Sequence, residues 1–130
     1  MDEAFRIQAN EWFQRANYDL QSAKILYEGG GNTYTIGYLI QQGLEKYLKG
    51  FLVSRGIKPR RTHDLSELLA EVSKFIESIE QYVDFCVKVT GYYVEDRYPP
   101  GPSEEYPKEE IGEALKKADE LICKIEEKAK

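Results

Sequence analysis

His63 is the only histidine in the 130-residue chain, and its neighbours make it the first place to look for chemistry. Lys58, Arg60 and Arg61 precede it and Asp64 follows it. An imidazole takes up or releases a proton near neutral pH. Guanidinium groups grip phosphate oxygens with paired donors, and a helix starting at Asp64 would bring backbone N–H groups to the same place. The plainer alternative is that His63 hydrogen-bonds locally to fix the loop's entry into that helix, while the cations form a solvated loop. Asp64's own negative charge works against an anion there. No serine or cysteine is joined to His63 by a recognisable motif.

Two further groupings have suitable residue types. Glu45 and Lys46 offer a carboxylate and an amine side by side, although on an exposed helix such pairs are commonly plain surface ion pairs. Tyr92, Tyr93, Arg97 and Tyr98 form the densest aromatic and cationic cluster. They suit stacking on a nucleobase, and they equally suit a core or an interface, because tyrosine combines a large contact area with a polar tip. The carboxylates lack the helical acid-and-histidine spacing of a di-metal bundle. Cys86 and Cys123 have no CxxC partner, so a Cys/His metal site is not expected. Both are read as buried or half-buried thiols of a reducing compartment.

The net charge of −5 argues against a chain-wide footprint for nucleic acid and leaves only local basic patches such as the 58–61 stretch. The first residues lack the basic-then-apolar layout of a signal peptide, and no apolar run approaches ~18 residues. The expectation is a cytoplasmic protein that needs no membrane and no cofactor, built as a single domain over residues 1–130.

Helices must position these groups. Phe5, Ala9, Trp12, Phe13, Ala16, Leu20, Ala23 and Tyr27 step by three or four, which predicts a helix from Asp2 to Glu28 ending at Gly29-Gly30-Gly31. A second helix, capped by Asn32 or Thr33 and running to Arg55, carries an apolar face at Ile40, Leu44, Tyr47, Leu48 and Phe51. Its other face, Gln41, Gln42, Glu45, Lys46 and Lys49, reads as polar and solvated. Asp64 and Glu67 have capping-box spacing before a shorter helix with Leu65, Leu68, Leu69, Val72 and Ile76 inside. Helical pattern continues to Thr90 with a break placed near residues 75–78. Gly91 is then expected to weaken the helix, with Tyr92 to Pro102 outside it. Four prolines between 99 and 107 make Tyr98 to Tyr106 a semi-rigid loop, and Pro107 opens a last helix with Ile111, Leu115, Ala118, Leu121, Ile122 and Ile125 inside. The sum is an all-α, up-and-down antiparallel four-helix bundle with an additional short helix.

One ordered set of residues carries a family likeness: Ala16-Asn17-Tyr18-Asp19-Leu20 with Ala23, then Gln41-Gln42-Gly43-Leu44-Glu45-Lys46-Tyr47-Leu48-Lys49, then His63-Asp64-Leu65, then Tyr93 and Arg97-Tyr98-Pro99. It resembles the HEPN domain family, over nearly the whole chain. The resemblance implies a bundle like the helical substrate-binding domain that accompanies some nucleotidyltransferases. It implies a homodimer, and a small minimal nucleotidyltransferase as partner in a toxin–antitoxin or nucleotide-binding pair. Family members that cut RNA carry an arginine followed after four to six residues by a histidine. Here the positions that would complete such a pair are Gly56, Ile57 and Lys58 before His63, and Pro102, Ser103 and Glu104 after Arg97. The expectation is therefore a binding module, leaning away from an enzyme, with Lys46, Lys58, Arg60, Arg61, His63, Tyr93 and Arg97 as candidate nucleotide or RNA contacts. The alternative is a metal-independent ribonuclease at a dimer cleft, in which Arg97 and His63 converge in space.

Overall fold

The computed structural model describes residues 2–97 and 105–129, without the side chains of residues 96, 97 and 129. Five α-helices are present: α1 (Glu3–Glu28), α2 (Thr33–Ser54), α3 (Leu65–Val72), α4 (Val83–Arg97) and α5 (Lys108–Ala129), with a 3-10 turn at Ile79–Tyr82 ahead of α4. The helix starts follow the capping chemistry of the sequence. Asp2, Asn32 and Asp64 each accept a backbone N–H two residues on, satisfying donors that the helix leaves unpaired.

Two helices stop the same way. At the end of α1, Gly30 adopts φ 76°, and Gly30 and Gly31 donate to Tyr27 and Leu26. At the end of α2, Gly56 adopts φ 77°, and Gly56 and Ile57 donate to Val53 and Leu52. These paired bonds close the last turn, and only a left-handed residue can form them without strain.

The core places α2 at the centre. Ile40, Leu44, Leu48, Phe51 and Leu52 are fully enclosed, as are Leu65, Leu68, Ile79, Val89, Ile111, Leu121 and Ile125 from the elements around it. Each such side chain contributes roughly 1.5–3 kcal/mol. Direction follows from who meets whom. Phe5 lies over Gly56 and Lys46 pairs with Asp19, so α1 runs against α2. Tyr92 bonds to Glu110 and faces Gly37, so α4 runs against both α5 and α2. Tyr47 bonds to Glu126 while Thr33 N–H donates to Glu105, so α5 runs alongside α2. The result is an up-and-down bundle with α3 as the extra short helix.

Gly43 and Gly50 let α1 approach α2 closely. A Cβ at 43 would stand 2.5 Å from Leu20 Cγ, and one at 50 would stand 2.8 Å from the Phe13 ring.

Several expectations need correction. The helix does not end at Gly91: α4 continues to Arg97. A helical glycine costs about 1 kcal/mol, less than is gained by burying Tyr92 and Tyr93 just beyond it. The break falls at residues 73–78, after Val72, and Ser78 takes φ 69° to turn the chain into the 3-10 segment. Cys86 is buried as expected, with burial pushing its thiol up to about 12, but Cys123 is exposed, one position past the buried pair Leu121 and Ile122. The capping box forms only by half. Asp64 N–H donates to Thr62 Oγ1, while Glu67 turns toward Arg60. Of the proline-rich loop, residues 98–104 lie outside the described residues. Tyr106 is fastened to the bundle, tilted on Tyr92 at 4.6 Å and bonded through its hydroxyl to Glu95.

Candidate functional site

The face of α2 expected to be solvated is instead the floor of the site. Gln41, Glu45 and Lys49, spaced by four, form one row, and all three are buried. The connection after α2 passes over them and brings His63 down onto the row. Burial is tolerated because the polar atoms are engaged. Glu45 accepts from Gln41 Nε2 at 3.1 Å, from Lys49 Nζ at 2.9 Å and from His63 Nδ1 at 2.9 Å. Gln41 also donates to the His63 carbonyl at 2.8 Å, and its own oxygen accepts from Gln42 at 2.7 Å.

Burial pushes the Glu45 carboxyl up. The hydrogen bonds from Lys49, His63 and Gln41, with the charge of Lys49, outweigh that and hold it below its ordinary range.

This carboxylate defines the state of His63. An ionised carboxylate only accepts, so Nδ1 carries the proton and donates to Glu45, and Nε2 on the far edge of the ring is left without a hydrogen-bond partner. The ring is half exposed and lies against Tyr93 at 4.4 Å between centroids, and Tyr93 in turn lies parallel to Tyr38 at 5.9 Å. Glu45 sets the edge and Tyr93 sets the plane. A histidine oriented this way presents one defined nitrogen to a ligand, either as a hydrogen-bond partner or as a proton carrier.

On the other side of Lys49 a groove opens between the N-terminal half of α1 and the 56–61 connection. Its volume is about 520 Å³, and it is bordered by Phe5, Trp12, Ile57 and Pro59 together with Lys49, Lys58, Arg60 and Arg61. No carboxylate borders it. Two of the four cations are balanced from behind: Lys49 by Glu45 at 2.9 Å, and Arg60 by Glu71 at 3.0 Å and Glu67 at 3.9 Å. Lys58 and Arg61 are exposed and have no partner among the described residues.

The expected site residues thus divide. His63 and Tyr93 meet, and Lys58, Arg60 and Arg61 gather at the groove. Lys46 is held by Asp19 at 2.6 Å and borders a neighbouring recess with Trp12 and Arg15. Arg97 ends α4, one turn beyond Tyr93, and its side chain lies outside the described residues. Sequence reading left out Gln41, Glu45 and Lys49 as site residues, and Trp12. The four-residue ladder 41–45–49, unusual in carrying no apolar residue opposite a basic loop, was the signal for the first three; for Trp12 there was none beyond its being the single tryptophan. Among the described residues no acidic, histidine or cysteine cluster could hold a metal ion, and no helix is long and apolar enough to cross a membrane.

Comparison with known proteins gives two kinds of match. The HEPN domain model matches residues 9–128. Among solved structures, the chain is similar to TT1696 from Thermus thermophilus, with 28% identity, a TM-score of 0.82 and coverage of 93% of this chain and 98% of that one. It is similar in fold to ST0689, an archaeal HEPN homologue, with 24% identity, a TM-score of 0.75 and coverage of 94% and 98%. No curated protein matches.

Proposed function

Because the chain belongs to the HEPN domain family, we propose that it is a binding module that receives a nucleotide or RNA phosphate at His63 and the basic connection before it, as a homodimer and with a small nucleotidyltransferase as partner. One observation carries this reading: Glu45 fixes His63 so that Nε2 faces outward, on the same connection whose Lys58 and Arg61 stand unneutralised. A defined ring nitrogen beside free cations is suited to phosphate oxygens. The dimer and the nucleotidyltransferase rest on the family resemblance, and a toxin–antitoxin pairing is the setting that resemblance implies.

A second reading is favoured by the same Glu45–His63 pair. An imidazole held at Nδ1 by a carboxylate and open at Nε2 is the arrangement of a general base or acid. With Arg97 one turn past the ring that His63 lies on, a ribonuclease using both residues is the competing function. Incubation of the purified protein with mixed short RNAs at low salt separates the two. Binding without cleavage, weakened in His63→Ala and in Arg60→Ala/Arg61→Ala, supports the module. Cleavage that disappears in His63→Ala would replace it with the ribonuclease, and absence of any binding to RNA or nucleotide would remove both.

A further inference from the structure

We infer, resting on the reading above, that the groove between α1 and the 56–61 connection is a site for a single nucleoside phosphate, with the base against Trp12 and Phe5 and the phosphate at Lys58 and Arg61. Three features argue for this class of ligand. The volume of about 520 Å³ falls within the roughly 300–1,000 Å³ usual for small-molecule sites. The lining divides by chemistry into a flat apolar part, Phe5, Trp12, Ile57 and Pro59, and a cationic part, Lys58 and Arg61, with Lys49 and Arg60 beside them. A ligand filling both parts must combine a planar body with a negative group. In a chain of net charge −5, a groove bordered by four cations and no carboxylate selects for an anion against the background of the whole surface.

The local fold supports the same assignment. Gly56, at φ 77°, has no side chain, and Phe5 sits directly over it, 3.0 Å from where a Cβ would be. The turn thereby keeps Phe5 at the mouth of the groove. Lys49 Nζ lies 5.9 Å from the Trp12 ring centre and bonds to Glu45 on its other side. The groove and the oriented His63 therefore share a single ion pair as their common wall. A nucleotide seated in the groove lies next to His63 without displacing it.

Calorimetric titration with AMP at low salt, beside adenosine and inorganic phosphate as its two halves, tests the assignment, and the emission of Trp12 gives a second readout because it is the only tryptophan. AMP is expected to bind more tightly than either half and to quench Trp12. Trp12→Ala should weaken AMP roughly 5- to 150-fold, the range of one base–aromatic stack, and Trp12→Phe should restore most of that. Lys58→Ala/Arg61→Ala, which removes exposed groups with no partner, should weaken AMP while leaving adenosine unchanged. AMP that binds equally well to the wild type and to Trp12→Ala would place the nucleotide elsewhere and overturn this site, with the broader functional reading intact. AMP bound no better than adenosine would overturn the phosphate assignment. If neither AMP nor RNA binds, the site and the functional reading fall together.

Discussion

Glu45 is a single carboxylate on which a lysine, a histidine and a glutamine converge. Removing one member of a buried pair leaves the other uncompensated, at a cost of about 3–5 kcal/mol. Because Lys49 borders the groove, Glu45→Gln is expected at the low end, about 3 kcal/mol, measurable by urea unfolding. The same carboxyl gives a pH dependence of known sign. It is held below its ordinary range in the folded protein, so its contribution is complete above the unfolded value of about 4.3 and is lost as pH falls through the lower folded value. Unfolding free energies between pH 7 and pH 3 should therefore fall less steeply in Glu45→Gln than in the wild type. Equal slopes would show that the carboxylate is not held as described.

Glycines on the helices give opposite predictions according to what they face. At Gly43 a Cβ would stand 2.5 Å from Leu20. Gly43→Ala gains about 1 kcal/mol of helix propensity and loses roughly 1–3 kcal/mol to overpacking, so a net loss near 1 kcal/mol is expected. At Gly91 nothing lies within 4 Å of a Cβ, so Gly91→Ala should raise stability by about 0.5–1 kcal/mol. A chemical denaturation series on both variants checks the contrast. Gly91 also shows why some element boundaries cannot be read from sequence. A glycine weakens a helix by a local, tabulated amount, whereas the burial of Tyr92 and Tyr93 that carries α4 onward depends on α2 and α5. The apolar stripes of α1, α2, α3 and α5 were readable because their spacing of three and four is a property of each helix alone. The burial of Gln41, Glu45 and Lys49 was not, since the chain segment that covers them lies 18 and 22 residues further on and their types alone describe a surface.

Across the whole molecule, every helix contributes to one hydrophobic cluster. Unfolding followed by Trp12 emission on α1 and by helical circular dichroism should therefore coincide in a single transition, and an earlier Trp12 transition would mean that α1 leaves α2 first. Charge sets a second expectation at this scale. With net charge −5 and only Lys58 and Arg61 uncompensated at the groove, a short RNA should lose affinity with salt at a logarithmic slope of about −1.4, two phosphates at about −0.7 each. A slope beyond about −4 would require a wider basic surface than the one described. The Glu45–Lys49 wall has one more consequence. The single tryptophan stands on one side of it and the single histidine, stacked on a tyrosine, on the other. The protein thus carries two native spectroscopic reporters, an indole fluorophore and one ring-current-shifted imidazole resonance, so that occupancy of either compartment can be followed separately in the unlabelled, unsubstituted chain.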